Sequence, residues 1–209
     1  MKRKYFILYE YGDYFVDYSN NPIQELTKKL EENFNLWGVK DVHKKITPHI
    51  TLKALFCLSI PLKEILKNWF KIFLKKKVSF SKEEKLIEIL EEFSKTQNKT
   101  DFSIRGINSF KGKVIFWNVE SEKMKEVSVS LCKLVKENFP EIVLNKHEPI
   151  TQPHITFAKE FDETRFETIF KYIKNCFNLS VHSESFDHFS LFVYEKGKYR
   201  RVKRFNLRA

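Results

Sequence analysis

Two short stretches of this chain carry residues able to do acid–base chemistry together. The first is Pro48-His49-Ile50-Thr51-Leu52-Lys53; the second is Pro153-His154-Ile155-Thr156-Phe157-Ala158-Lys159. Each sets a threonine two positions after a histidine, with an apolar residue between them. Polar–apolar alternation of this kind predicts a strand with two unlike faces. Residues i and i+2 of a strand share a face, so His49 and Thr51 point one way, as do His154 and Thr156. Histidine titrates near neutral pH, so one neutral and one protonated imidazole suit the tasks of base and acid. The four residues together fit cleavage of a phosphodiester. The base activates water, the acid protonates the leaving oxygen, and Thr51 and Thr156 donate hydrogen bonds where charge gathers on the non-bridging oxygens. No metal or other cofactor is expected, because two histidines with no nearby carboxylate or cysteine make a poor metal site. The near-symmetry of the motifs leaves open which histidine is the base.

Strand parity sorts the neighbours. Lys53 lies at i+4 from His49, so it is expected on the site face as a substrate-binding residue that steadies a phosphate. Lys159 lies at i+5 from His154 and is expected to point away. Arg105, Phe110, Phe116 and Trp117 could serve phosphate or base stacking, or the rings could be core. His43, His147, His182 and His188 have no partner motif and read as surface or loop residues.

Each motif must be positioned by the elements around it. Residues 5–11 read as a strand. Asn21-Pro22 opens a helix with the stripe Ile23, Leu26, Leu30 and Phe34. After the first motif strand, Ser81-Lys82-Glu83-Glu84 is a capping box for a helix. Strands are expected from Asp101 to Phe110 and from Lys113 to Glu120, joined by a Lys111-Gly112 turn. Ser121 caps a helix that ends near Phe139-Pro140. After the second motif strand, Asp162 caps another helix. Leu179 to Leu207 reads as two or three strands, turning at Lys196-Gly197-Lys198. The order is β-α-β-α-β twice, then a hairpin tail, with a motif in the second strand of each half. That is a duplication of topology, and two halves facing across a pseudo-twofold axis would bring both motifs to one cleft. Residues 1–209 are read as one bilobal domain. The segment at about 57–80 breaks the symmetry. Its apolar face of Leu62, Ile65, Leu66, Trp69, Phe73 and Leu74 is surrounded by lysines, which suits a helix packed on its own lobe or a surface for RNA, membrane or partner.

Composition narrows the partners. A formal net charge of +11 favours an anionic one. Only 5 glycines, and neither Gly-rich phosphate-loop pattern, argue against nucleotide binding by those routes. Cys57, Cys132 and Cys176 are scattered and suit a reducing compartment, and the expected location is cytoplasmic. Glu10 and Asp13 cut short an N-terminal apolar run that briefly imitates a signal peptide. No integral membrane segment is expected, since lysines interrupt the other apolar stretch too often for a span.

The paired Pro-His-Ile-Thr stretches resemble the two H-x-[ST] motifs of the 2H phosphoesterase superfamily, and within it the 2′-5′ RNA ligase-like proteins that act as RNA 2′,3′-cyclic phosphodiesterases. The resemblance implies an α+β fold, bilobal and duplicated, with mainly antiparallel sheets facing across a central cleft. It implies catalytic roles for His49, Thr51, His154 and Thr156, and metal-independent hydrolysis of 2′,3′-cyclic phosphate ends of RNA, with 2′-5′ ligation as the reverse reaction. The expected partner is RNA or an oligonucleotide with a cyclic phosphate or 2′-5′ linkage, acted on by a monomer. Within the same chemistry, the substrate could be a 2′-5′ oligonucleotide, a cyclic oligonucleotide signal or ADP-ribose cyclic phosphate. A non-catalytic RNA or nucleotide binder of the same fold is the alternative from a different class.

Overall fold

The structure, a computed structural model, describes residues 3–10, 32, 49–58, 82–110, 112–159, 163–176 and 182–209. In chain order these form strand β1 (Lys4–Glu10), β2 (His49–Phe56), helix α1 (Lys82–Lys95), β3 (Thr100–Phe110), β4 (Val114–Glu120), α2 (Glu122–Asn138), β5 (His154–Lys159), α3 (Glu163–Cys176), β6 (His182–Phe186), β7 (His188–Glu195) and β8 (Lys198–Asn206). The expected helix after Asn21-Pro22, the caps at Ser81 and Asp162, and all of the 57–80 segment beyond Cys57 and Leu58 fall outside the described residues.

The strands join in one antiparallel sheet in the order β6-β3-β4-β5-β2-β1-β7-β8. The two motif strands, β5 and β2, are neighbours at its centre. Outward from that seam run β2-β1-β7-β8 on one side and β5-β4-β3-β6 on the other, so the α+β fold is bilobal and duplicated. Chain order alone puts β3 in the first half, but the sheet places it in the second, beside β4. The turn explains the exchange. Gly112 sits at φ 67° and Lys113 N–H donates to Phe110 O at 2.9 Å, which folds β3 straight back along β4. β7 then fills the matching place against β1. The β7–β8 hairpin turns at Lys196 and Gly197, both at positive φ, as a two-residue turn of matching twist requires.

One face of the sheet makes the core. Ile7, Ile50, Leu52, Ile115 and Ile155 are buried there against Leu86 and Leu90 of α1, Val127 and Leu131 of α2, and Ile169 and Ile173 of α3. Burying each such side chain stabilises the fold by about 1.5–3 kcal/mol. The sheet curls so far that Tyr9 of β1 meets Phe102 of β3 and Phe186 of β6, at ring separations of 5.4 and 5.6 Å. Ser121 caps α2 by accepting from Met124 N–H at 3.2 Å, and Phe139, just before Pro140, ends it. Ser128 of α2 donates to Leu52 O at 2.7 Å and accepts from Ile150 N–H at 2.8 Å. One hydroxyl therefore ties the first motif strand to the segment that enters the second.

Candidate active site

The two motifs meet through a single registered pair, Ile50 opposite Ile155. Moving one residue each way along this antiparallel pair puts His49 across from Thr156 and Thr51 across from His154. Ile50 and Ile155 are fully buried in the core, so the histidines and threonines, of opposite parity, occupy the other face. All four are partly exposed. The flanking strands extend both rows. Asn118 of β4 pairs with His154, and Leu8 of β1 pairs with Thr51. Phe116 pairs with Thr156, and Glu10 pairs with His49.

The histidines sit in unlike surroundings. His154 Nδ1 donates to the Gln152 carbonyl oxygen at 2.8 Å, which fixes the tautomer and leaves the lone pair on Nε2. Phe110 and Phe116 stack on one another at 4.2 Å, and each lies 5.0 Å from the His154 ring. Burial pushes the His154 pKa below its ordinary value, and the bond to the Gln152 carbonyl only partly offsets this. Beyond Asn118, a groove of about 600 Å³ opens along Glu120, Lys125, Thr151, Gln152 and Pro153.

Beside His49 the surface is charged. Glu10 accepts from Ser190 Oγ at 2.6 Å and from Arg201 Nη1 at 3.1 Å, and Arg204 Nη2 lies 3.4 Å away. Burial alone would raise the Glu10 pKa. Ser190 and the two guanidiniums outweigh it and hold the carboxyl below its usual value. Sequence reasoning missed Glu10 and placed no carboxylate near the histidines. Its position depends on cross-strand register, which the local pattern of residues 5–11 does not carry. Among the described residues no group of three or more His, Cys, Asp or Glu side chains is arranged to hold a metal ion.

Lys53 is not where parity puts it. The β1–β2 register jumps between Leu8–Thr51 and Ile7–Lys53, so β2 carries an extra residue and Lys53 falls opposite the core residue Ile7. Its side chain is 0% exposed, and Nζ lies 2.7 Å from Glu148 Oε1, itself on a 0% exposed side chain. Ala54 N–H donates to the same oxygen at 2.7 Å, and Asn145 N–H donates to Oε2 at 2.7 Å. A lysine so placed offers no surface to a substrate. It joins the first motif strand to the loop that leads into the second. Cys132 of α2 lies close by, and burial, with the Glu148 charge, pushes its thiol up to about 11.

Other expectations resolve by burial. Trp117 is core, on the helix side of β4. Arg105 is exposed on β3, at the irregular stretch between Ile104 and Ile107. His147 is exposed. His188, expected at the surface, is buried at the start of β7, with Nδ1 2.6 Å from Asp187 Oδ1 and its ring 4.9 Å from that of Tyr9.

A family profile described as the 2′-5′ RNA ligase superfamily matches residues 15–198. The chain belongs to that superfamily, a group of 2H phosphoesterases that process phosphodiesters. No curated protein matches the chain. Among solved structures, TT0787 of Thermus thermophilus is similar, with 16% identity over 99% of this chain and 98% of that one and a TM-score of 0.59. E. coli LigT complexed with 3′-AMP is similar over the whole of both chains, with 13% identity and a TM-score of 0.59. Kluyveromyces marxianus Usb1 matches 96% of this chain and 97% of its own, with 10% identity and a TM-score of 0.50. At these identities the likeness is one of fold. No helix among the described residues is long and apolar enough to cross a membrane.

Proposed function

We infer that this chain is a metal-independent phosphodiesterase that hydrolyses 2′,3′-cyclic phosphate ends of RNA, using His49 and His154 as its acid–base pair. One observation carries the reading: the seam at Ile50 and Ile155 sets each motif histidine across from the other motif's threonine on one partly exposed face. A phosphate over that face meets two imidazoles on adjacent strands and two hydroxyl donors on the opposite diagonal. His154, its pKa lowered by burial and its Nδ1 hydrogen-bonded to a carbonyl, suits the base whose Nε2 takes a proton from water. His49 then gives its proton to the departing ribose oxygen. Thr51 and Thr156 donate to the non-bridging oxygens as charge grows there. Atoms balance: water adds across one P–O bond, leaving a phosphomonoester and a free hydroxyl.

A panel of substrates tests this. Purified protein is offered RNA ending in a 2′,3′-cyclic phosphate, a 2′-5′-linked dinucleotide, a cyclic dinucleotide and ADP-ribose cyclic phosphate, each with and without EDTA. The expected result is fastest turnover of the cyclic RNA end, unchanged by chelator. Activity that is lost in EDTA and restored by a divalent ion would sink the two-histidine mechanism. Preference for another member of the panel would move the substrate but leave the chemistry.

A further inference from the structure

We propose that Arg201 and Arg204 of β8, held in place by Glu10, form a phosphate-binding strip that carries the RNA strand away from the reacting end. This rests on the phosphodiesterase reading and deepens it: the substrate is a polynucleotide end and not a free mononucleotide.

The strip lies on the site face. Thr51 pairs with Leu8, Leu8 with Ser190, and Ser190 with Arg204, so one cross-strand row links Arg204 to the motif strand. The backbone distance along that row is three strand spacings, about 14 Å. Arg201 pairs with Phe192, which packs with Phe6 and Leu8 in a small apolar cluster on this same face. Lys203, of opposite parity, turns to the helix side and binds Glu91 of α1 at 2.7 Å. β8 thus sorts its cations, sending two arginines toward the site and a lysine to a structural ion pair.

Both guanidiniums lean back across β7 to reach Glu10, the residue in register with His49. Glu10 is nearly covered, its side chain 13% exposed, while those of Arg201 and Arg204 remain 48% and 37% exposed. One carboxylate against two guanidiniums leaves a net positive charge, and five N–H donors on each arginine exceed what Glu10 accepts. Donors that Glu10 does not engage sit on partly exposed side chains, and guanidinium forks match phosphate oxygens. Because Glu10 already orders both side chains, little rotamer freedom is left to lose when a phosphate binds. Tyr199, two residues before Arg201 and packed edge-on to Phe6 at 5.4 Å, adds an aromatic beside the cations. Basic groups interleaved with an aromatic suit a single strand.

The test uses Arg201→Gln/Arg204→Gln and a six-nucleotide single-stranded RNA ending in an unreactive 3′-phosphate. Binding is read by fluorescence anisotropy across a salt series, independently of any turnover. Affinity at low salt should drop at least tenfold. The log–log salt slope should flatten by about 1.4, at roughly 0.7 per lost contact. Arg201→Lys/Arg204→Lys should keep the slope, since charge sets it. Where cyclic-end RNA and a nucleoside 2′,3′-cyclic phosphate are both turned over, the kcat/KM loss should be at least fivefold larger on the RNA. Should the double variant not fold with Glu10 left unpaired, Glu10→Gln/Arg201→Gln/Arg204→Gln removes the orphaned charge and is measured instead. A slope equal to wild type, or no binding of the oligonucleotide by wild type at low salt, overturns the proposal. If binding behaves as expected while no phosphodiester is hydrolysed, the strip stands and the catalytic reading fails.

Discussion

The two motif strands read almost alike, yet the lobes around them differ in kind. On β5, His154 stands against two stacked phenylalanines, anchored through Nδ1 to a backbone carbonyl. On β2, His49 stands in register with a carboxylate that gathers a serine and two arginines. One lobe packs aromatic rings against its histidine; the other sets a carboxylate in register with its own. A duplicated motif supplies two identical groups, but acid–base catalysis needs two unlike ones. Here the unlikeness comes from the surrounding strands, β4 and β3 on one side and β1, β7 and β8 on the other, and not from the motifs.

Removing either histidine is the hardest test of that division and carries the largest expected effect. His49→Ala and His154→Ala should each lower kcat by at least about a hundredfold, with circular dichroism and melting temperature close to wild type. The double variant should be scarcely worse than either single one, because the pair acts as a unit. Near-normal turnover by either single variant would end the two-histidine account.

The clamp that ties the lobes together comes next. Lys53→Met or Glu148→Gln leaves a buried charge without its partner and should cost about 3–5 kcal/mol, read by denaturant unfolding. Lys53→Met/Glu148→Leu removes both charges and should cost clearly less. Equal losses in all three would mean that volume and not charge dominates there.

The smallest effect sharpens the contrast between the histidines. If His154 is the base, as proposed, its neutral form is the working one, so the rate should fall as pH drops through its lowered pKa. The acid limb of kcat/KM should therefore lie below the ordinary histidine value of about 6.5. Phe110→Ala opens one side of the ring to water and should move that limb upward, toward the ordinary value, with modest loss of rate at neutral pH. A limb unmoved by the substitution would take burial out of the explanation. The same sign governs stability. An imidazole with a lowered folded pKa binds fewer protons than in the unfolded chain, so His154 and the likewise depressed His188 make folding less favourable as pH falls below about 6.5.

Local pattern carried much of this molecule. Alternation around His49 and His154 predicted their strands and their shared faces, Ser121 announced its helix, and Lys196-Gly197 announced its hairpin. Long-range pairing was not written locally. The Lys111-Gly112 turn marked two strands, but that it would hand β3 to the other lobe follows only when hairpin geometry is applied across the boundary of the duplication. Lys53 defeated parity because one added residue in β2 between Thr51 and Lys53 turns Lys53 to the core side, and a second register shift follows before Phe56. Glu10 read as the residue that ended an apolar run. Its place beside His49 depends on a register set by residues more than thirty positions away.

The seam between the lobes has a mechanical consequence. Where one sheet-paired residue from each motif strand joins two four-stranded halves, the line between β2 and β5 is the natural axis for any rotation of one half against the other. Displacement in such a rotation grows with distance from the axis. The strands bearing His49 and His154 lie half a strand spacing from it, and the outer strands β6 and β8 lie three and a half, measured along the sheet. Any given angle thus moves strands farther from the seam by more than it moves the motif strands beside it. Such a rotation would work against the contacts of Tyr9 with Phe102 and Phe186, which close the curled sheet, while the separation of the two motif imidazoles stays nearly constant.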